Sequence, residues 1–164
     1  MTIVGVDLSS KQINLAWLDE NGKPQRWHQA LEGKHLIDRL RSIQITWPGD
    51  AGRGWETTEV AIEKPFSQSR RSTAALSAVV GIVTRQAPPW ARVAWPSSGE
   101  LRAAIGAKNN KADAHEAIVY GVGEYPWQVT PYELHHWDEH ELDALVACIG
   151  WQKILESQDD AWPQ

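Results

Sequence analysis

The chain opens on a period-two alternation. Ile3, Gly5 and Asp7 fall on one face and Val4, Val6 and Leu8 on the other, which predicts a strand. Ser9-Ser10 reads as a turn into a second strand around Ile13–Leu18. The run Asp19-Glu20-Asn21-Gly22 is a hairpin signal leading to a third strand near Gln25–Gln29. Leu36, Ile37, Leu40 and Ile43 recur at helical spacing, so residues 34–45 read as a first helix. Pro48, Gly49, Gly52 and Gly54 mark Trp47–Trp55 as a loop. A strand returns at Thr57–Glu63, with Val60 and Ile62 opposed to Glu59, Ala61 and Glu63. A helix over Arg71–Gln86 carries Leu76, Val79, Val80 and Val83 and stops before Pro88-Pro89. A short strand, Arg92–Trp95, precedes a helix that opens at Ser97 or Ser98 and breaks near Gly106. Another helix begins after Asn110 and runs to about Val122, Gly123–Pro131 reads as irregular, and a last helix is expected to start near Trp137 and extend to about Ser157. This order predicts one α/β domain over residues 1–157, a sheet mixing antiparallel and parallel strands, and a short tail over 158–164.

Composition narrows the class. With 164 residues, 42% hydrophobic and 23% charged, the chain suits one globular domain with a real core. It has no apolar run approaching the roughly 20 residues of a membrane span. The opening residues lack a basic stretch and a small-residue cleavage site, and Cys148 stands alone, so a reducing cytoplasm is the expected compartment. A single Cys also excludes a multi-Cys zinc site. The net charge of −5 would discourage a polyanion partner, but its distribution does not. Residues 64–111 carry eight Lys and Arg against Glu100 alone, whereas residues 112–164 carry eleven acids against Lys153. A basic middle beside acidic ends suits a site that binds a polyanion and holds cations with carboxylates, though an unevenly charged solvated surface would read the same way.

Three acids sit where apolar residues are expected. Asp7 lies at the end of the most hydrophobic strand, Glu63 ends Val60-Ala61-Ile62, and Asp143 interrupts the run Leu142–Ile149. A lone buried carboxylate costs several kcal/mol unless paired or bound to a cation. Any one of the three passes as a strand-end or helix-shoulder residue; together they suggest charges converging on metal, and oxygen ligation suits Mg²⁺ or Mn²⁺. On the last helix His136, Glu139 and His140 share a face with Asp143. His140, three residues before Asp143, reads as a ligand or proton carrier, while His135 and His136 read as decoration of a polar first turn.

At this point the chain resembles the RuvC family of Holliday-junction resolvases, within the ribonuclease-H-like superfamily. The resemblance rests on IVGVDLSS, VAIEKPF, RSTAALSAVVGIV, IGAKNNKADAHEAIV and HELDALVACIGW, which occur in the family's order across nearly the whole chain. It implies a ribonuclease-H-like mixed five-stranded sheet flanked by helices. It implies a catalytic and metal-binding quartet of Asp7, Glu63, His140 and Asp143, the third member being an acid in some relatives and a histidine in others. Phe66, which also reads as a core residue, matches an aromatic that stacks on bases at the junction centre. Lys108 and Lys111 match a basic segment near the cleaved strand, and Lys11, Arg70 and Arg71 are further phosphate candidates. The implied activity is endonucleolytic resolution of four-way DNA junctions by paired nicks leaving 5′ phosphates. It would use two Mg²⁺ per active site, with Mn²⁺ substituting, in a homodimer joined through the Arg71–Gln86 helix. Leu8-Ser9-Ser10 stands where the family has Pro-Gly, and Asn109-Asn110 where it has glycines, which bears on cleavage preference. Rival expectations are a nuclease of the same fold acting on flaps, forks or hybrids, and a silent nucleic-acid-binding module. No Gly-rich phosphate loop suggests a nucleotide cofactor.

Overall fold

The computed structural model describes residues 2–49, 57–64, 70–108, 110–120 and 134–159, with backbone alone for residues 70–72. Phe66, the segment Gly123–Pro131, most of the Trp47–Trp55 loop and residues 160–164 lie outside the described residues.

Five strands form one sheet: β1 (Thr2–Leu8), β2 (Gln12–Leu18), β3 (Pro24–Ala30), β4 (Thr57–Ile62) and β5 (Arg92–Ala94), in the order β3-β2-β1-β4-β5. The β1–β2 and β2–β3 pairs are antiparallel; β1–β4 and β4–β5 are parallel. Five helices accompany them among the described residues: α1 (Leu36–Ser42), α2 (Arg70–Gln86), α3 (Ser98–Ala104), α4 (Lys111–Tyr120) and α5 (Glu139–Asp159). The β2–β3 hairpin closes because Asp19 Oδ1 accepts the Asn21 and Lys23 amides and Gly22 adopts φ +73°.

The alternation read from β1 divides two cores. Val4, Val6, Ile13, Leu15, Val60 and Ile62 pack with Val79 and Val83 of α2 on one face. On the other face α5 lies over β1 and β2, and its Ala144–Ile149 stretch joins Ala16, Leu101, Ile105, Ala114 and Ile118. Gly5 permits this second layer. A Cβ there would lie 2.0 Å from the Ala144 carbonyl oxygen and 2.3 Å from the Cys148 nitrogen. Farther along β1, Cys148 Sγ donates to the Ile3 carbonyl, so α5 runs antiparallel to β1 and its first turns reach the strand's C-terminal end.

Strand and helix ends shift by a residue or two from expectation at several places, and two of the differences have a visible local cause. α1 is shorter than residues 34–45, because Ile43 turns extended (ψ 117°) and buries its side chain. α5 begins at Glu139, not Trp137. Asp138 Oδ1 accepts the His140 and Glu141 amides at 2.9 and 2.8 Å, and Glu141 Oε2 accepts the Asp138 amide at 2.8 Å. This reciprocal cap fixes the helix start. Arg26 secures it further by pairing with Glu141 across from β3.

Candidate functional site

The parallel strands β1 and β4 end side by side, and each delivers an acid there. Asp7 is the penultimate residue of β1, on the face of Gly5. Glu63 follows β4, its amide donating to the Val6 carbonyl at 3.3 Å. The capped first turns of α5 bring His140 and Asp143 over Asp7. From the side, α4 contributes Lys111 and His115, one helical turn apart. A capping box between Ser97 and Glu100 sets the start of α3 and places the Ser98 hydroxyl as a donor to Glu63 Oε1.

His140 Nδ1 lies 2.9 Å from Asp7 Oδ2. Asp143 is held at both oxygens: His115 Nε2 is 2.6 Å from Oδ1 and Lys111 Nζ is 2.5 Å from Oδ2. Lys111 also reaches Glu139 at 3.3 Å. These partners separate the two aspartates electrostatically. Burial and the facing charge of Asp143 push the Asp7 carboxyl up to about 6, Glu63 adds to this, and the His140 contact offsets only part. Burial also pushes Asp143 upward, but hydrogen bonds and charge from His115 and Lys111 outweigh it and hold the carboxyl below its ordinary range. At Lys111 burial is in turn outweighed by the contacts with Asp143 and Glu139, which hold its ammonium above its usual range.

Asp7, His140 and Asp143 each offer a ligand atom within 4.8 Å of the others, so they can hold a metal ion. The donor set fits a divalent cation: two carboxylates and an imidazole, one carboxylate being destabilised in its charged form. Asn14 adds to the fit. It pairs in register with Asp7, is fully buried, and neither side-chain polar atom has a hydrogen-bond partner among the described residues. An orphaned amide beside carboxylates is a donor and acceptor available to a hydrated ion.

Of the expected quartet, the structure brings together Asp7, His140 and Asp143. Glu63 stands outside that 4.8 Å group, bonded to Ser98 and acting on Asp7 through its charge. Lys108 and Lys11 are exposed, Lys11 in the β1–β2 turn. Lys111, expected at phosphate, pairs with Asp143 in the DNA-free chain. Arg70 and Arg71 open α2, described in backbone only, and Phe66 lies outside the described residues. Sequence reasoning missed His115 and Ser98. The four-residue spacing from Lys111 to His115 was the available signal for the first.

A pH-dependent metal response is expected. Folded Asp7 keeps its proton to about 6, against an ordinary value of 3.8, so between these values the native state binds more protons than the unfolded chain. Metal-free stability therefore falls as pH rises through that window, by at most about 3 kcal/mol from this group. Saturating Mn²⁺ should raise the melting midpoint by roughly 5–10 °C at pH 7.5. At pH 5 it must displace the Asp7 proton, and the rise should be much smaller. Melts at the two pH values with Mn²⁺ and with EDTA measure this; equal shifts would separate metal uptake from Asp7.

The sheet order, the helices on both faces and the acids at the ends of parallel strands define a ribonuclease-H-like α/β domain. Among solved structures the chain is similar to T. thermophilus RuvC in complex with a Holliday junction substrate, with a TM-score of 0.65 at 14% identity over 96% of both chains. A further Thermus thermophilus RuvC structure matches with a TM-score of 0.60, 14% identity and coverage of 96% of this chain and 97% of that one. The fold is thus that of RuvC. No protein-family model and no curated protein matches the chain. No helix among the described residues is long and apolar enough to cross a membrane.

Proposed function

We propose that the chain is a divalent-metal-dependent endonuclease that cuts phosphodiester bonds in branched DNA, with four-way junctions preferred. The observation that carries this reading is the Asp7–His140–Asp143 group, sited where the parallel strands of a RuvC fold end. The fold neighbour solved with a Holliday junction supports the choice of substrate.

Asp7, Asp143 and His140 would hold Mg²⁺, or Mn²⁺ in its place, with Glu63 completing a two-ion site. Bound ions of this kind activate a water nucleophile and neutralise the departing 3′ oxygen. The residues then divide the remaining work. Asp143, held ionised by His115 and Lys111, supplies a fixed charge. Asp7 and His140 lie 2.9 Å apart as adjoining ligands, and burial with the charge of Asp143 pushes the Asp7 carboxyl up to about 6, so a bound cation would relieve the cost of ionising it. Lys108, Lys111, Lys11, Arg70 and Arg71 take phosphates, and Phe66 takes a base at the branch. A two-fold-symmetric junction calls for two such sites, which a homodimer joined along α2 would supply. Ala74, Ser77 and Gly81 are exposed on that helix, small enough for a second copy to approach closely.

A cleavage panel tests the reading: four-way junction, flap, fork, DNA–RNA hybrid and linear duplex, each with Mg²⁺, Mn²⁺ or EDTA. The expected result is symmetric paired nicks in the junction, 5′ phosphates at the cuts, and no activity in EDTA. Equal cutting of linear duplex would remove the junction preference. Metal-independent cutting, or no cutting of any substrate, would remove the nuclease assignment.

A further inference from the structure

We infer that His115 is a positioning residue for the metal centre, one that orients Asp143 without contacting ion or DNA itself. The inference rests on the metal-site reading above.

A carboxylate that ligates a cation through one oxygen is free to rotate unless its other oxygen is fixed, and that freedom must be given up each time an ion binds. A carboxylate that ligates a cation can only accept hydrogen bonds, so the His115 nitrogen facing Oδ1 at 2.6 Å would be the donor in the metal-bound site. Both side chains are largely covered, at 17% and 15% exposure, so water competes weakly for this bond. His115 also has a stable seat. It lies in α4 between the buried residues Ala114 and Ala117, and α4 packs on α5. The histidine thus ties the orientation of Asp143 to helix packing, not to a mobile loop.

Lys111 makes the contrast that isolates this role. It lies one turn earlier on the same helix and also contacts Asp143, yet it does so with a formal positive charge on a flexible stem whose side chain is 40% exposed. A divalent ion approaching Asp143 is repelled by that mobile charge, whereas the imidazole is a planar group seated in the packing of α4 on α5 and fixes the carboxylate's other oxygen. The two contacts therefore act on metal uptake with opposite sign: His115 assists it and Lys111 opposes it. A general contribution of α4 to folding would move both in the same direction. The roles also explain how one helix can serve two steps, since Lys111 displaced from Asp143 is freed for a DNA phosphate.

Mn²⁺ titrations followed by electron paramagnetic resonance, on metal-free protein without DNA, test the inference through binding alone. His115→Ala should weaken Mn²⁺ binding by about 10-fold or more, the usual cost of losing a residue that orients a ligand. His115→Gln, which keeps an N–H donor of similar reach, should recover part of that loss. Lys111→Met should bind Mn²⁺ at least as tightly as the unmodified chain. Far-UV circular dichroism confirms that each variant is folded, and His115→Gln serves if the alanine variant is not. Mn²⁺ affinity in a folded His115→Ala protein within twofold of the unmodified chain, or equal losses in His115→Ala and Lys111→Met, would overturn the inference while leaving the metal site intact. Failure of the unmodified chain to take up Mn²⁺ would instead bring down the metal reading, and this inference with it.

Discussion

Asp7→Asn should abolish the proposed metal-dependent cleavage, with a rate loss of roughly 10³-fold or more, while leaving affinity for junction DNA unchanged. On the proposed reading affinity is retained, because phosphate contacts would come from Lys and Arg, and removing a negative charge from the cleft does not weaken such contacts. The same substitution has a second, less obvious result: the metal-free protein becomes more stable at pH 7.5. Asp7 is raised to about 6, so at neutral pH its ionised form is a cost to the fold, borne against Asp143 and Glu63. Asn carries no such cost and can still accept from His140 Nδ1. A gain of about 1–2 kcal/mol is expected in EDTA, together with loss of the Mn²⁺-induced rise in melting midpoint. Asp143→Asn gives the opposite sign in EDTA. Its carboxylate is lowered by His115 and Lys111, so its charge stabilises the fold above its ordinary value and is missed when removed. Junction cleavage assays and melts in EDTA and Mn²⁺ check all of this. Metal-dependent nicking by purified Asp7→Asn, or an undiminished Mn²⁺ response, would take Asp7 out of the centre.

Much of this arrangement was legible in the chain because strands alternate with period two. Placing Val4 and Val6 toward one core assigns Asp7 to the face of Gly5, and placing Val60 and Ile62 there assigns Glu63 to the face of Ala61; the sheet bears out the core face of both strands, with β4 itself ending at Ile62. Helical spacing likewise joined His140 to Asp143. Periodicity specifies a face but not a distance, and that is why the expected quartet separates into a close group of three and an outlying Glu63 held by Ser98. The last helix, expected to start near Trp137, starts two residues later at Glu139. Asp138 and Glu141 are the reciprocal cap, and that signal was present in the spacing. His115 was hidden for a different reason: its partner is 28 residues away, and only the packing of α4 on α5 reveals it. Asn14 reads in sequence as a polar position in a hairpin strand, and nothing local shows that it is fully buried beside Asp7.

Gly5→Ala should have the largest effect on stability of any single methyl group in the chain's central layer, and it couples fold to site. The added Cβ would meet backbone atoms of α5 at 2.0 and 2.3 Å, where no side-chain rotation can relieve the clash. Either α5 lifts from the sheet or β1 bends away, and such overpacking costs about 3 kcal/mol or more. That is a large share of the roughly 5–15 kcal/mol by which a domain is stable, and the melting midpoint should fall by roughly 6–12 °C. The functional consequence follows from where the clash falls. Ala144 adjoins Asp143 and lies one turn after His140, so a shift of α5 opens the gap between Asp7 and both partners. Protein that still folds should therefore lose its Mn²⁺ response. Gly150→Ala provides the comparison, since its Cβ would lie 2.8 Å from the Leu101 carbonyl oxygen, at the α3–α5 contact and away from the acids. It should lower stability less and keep the Mn²⁺ response. If Gly5→Ala melts like the unmodified chain and still responds to Mn²⁺, then α5 does not rest on β1 closely enough to set the geometry of the centre.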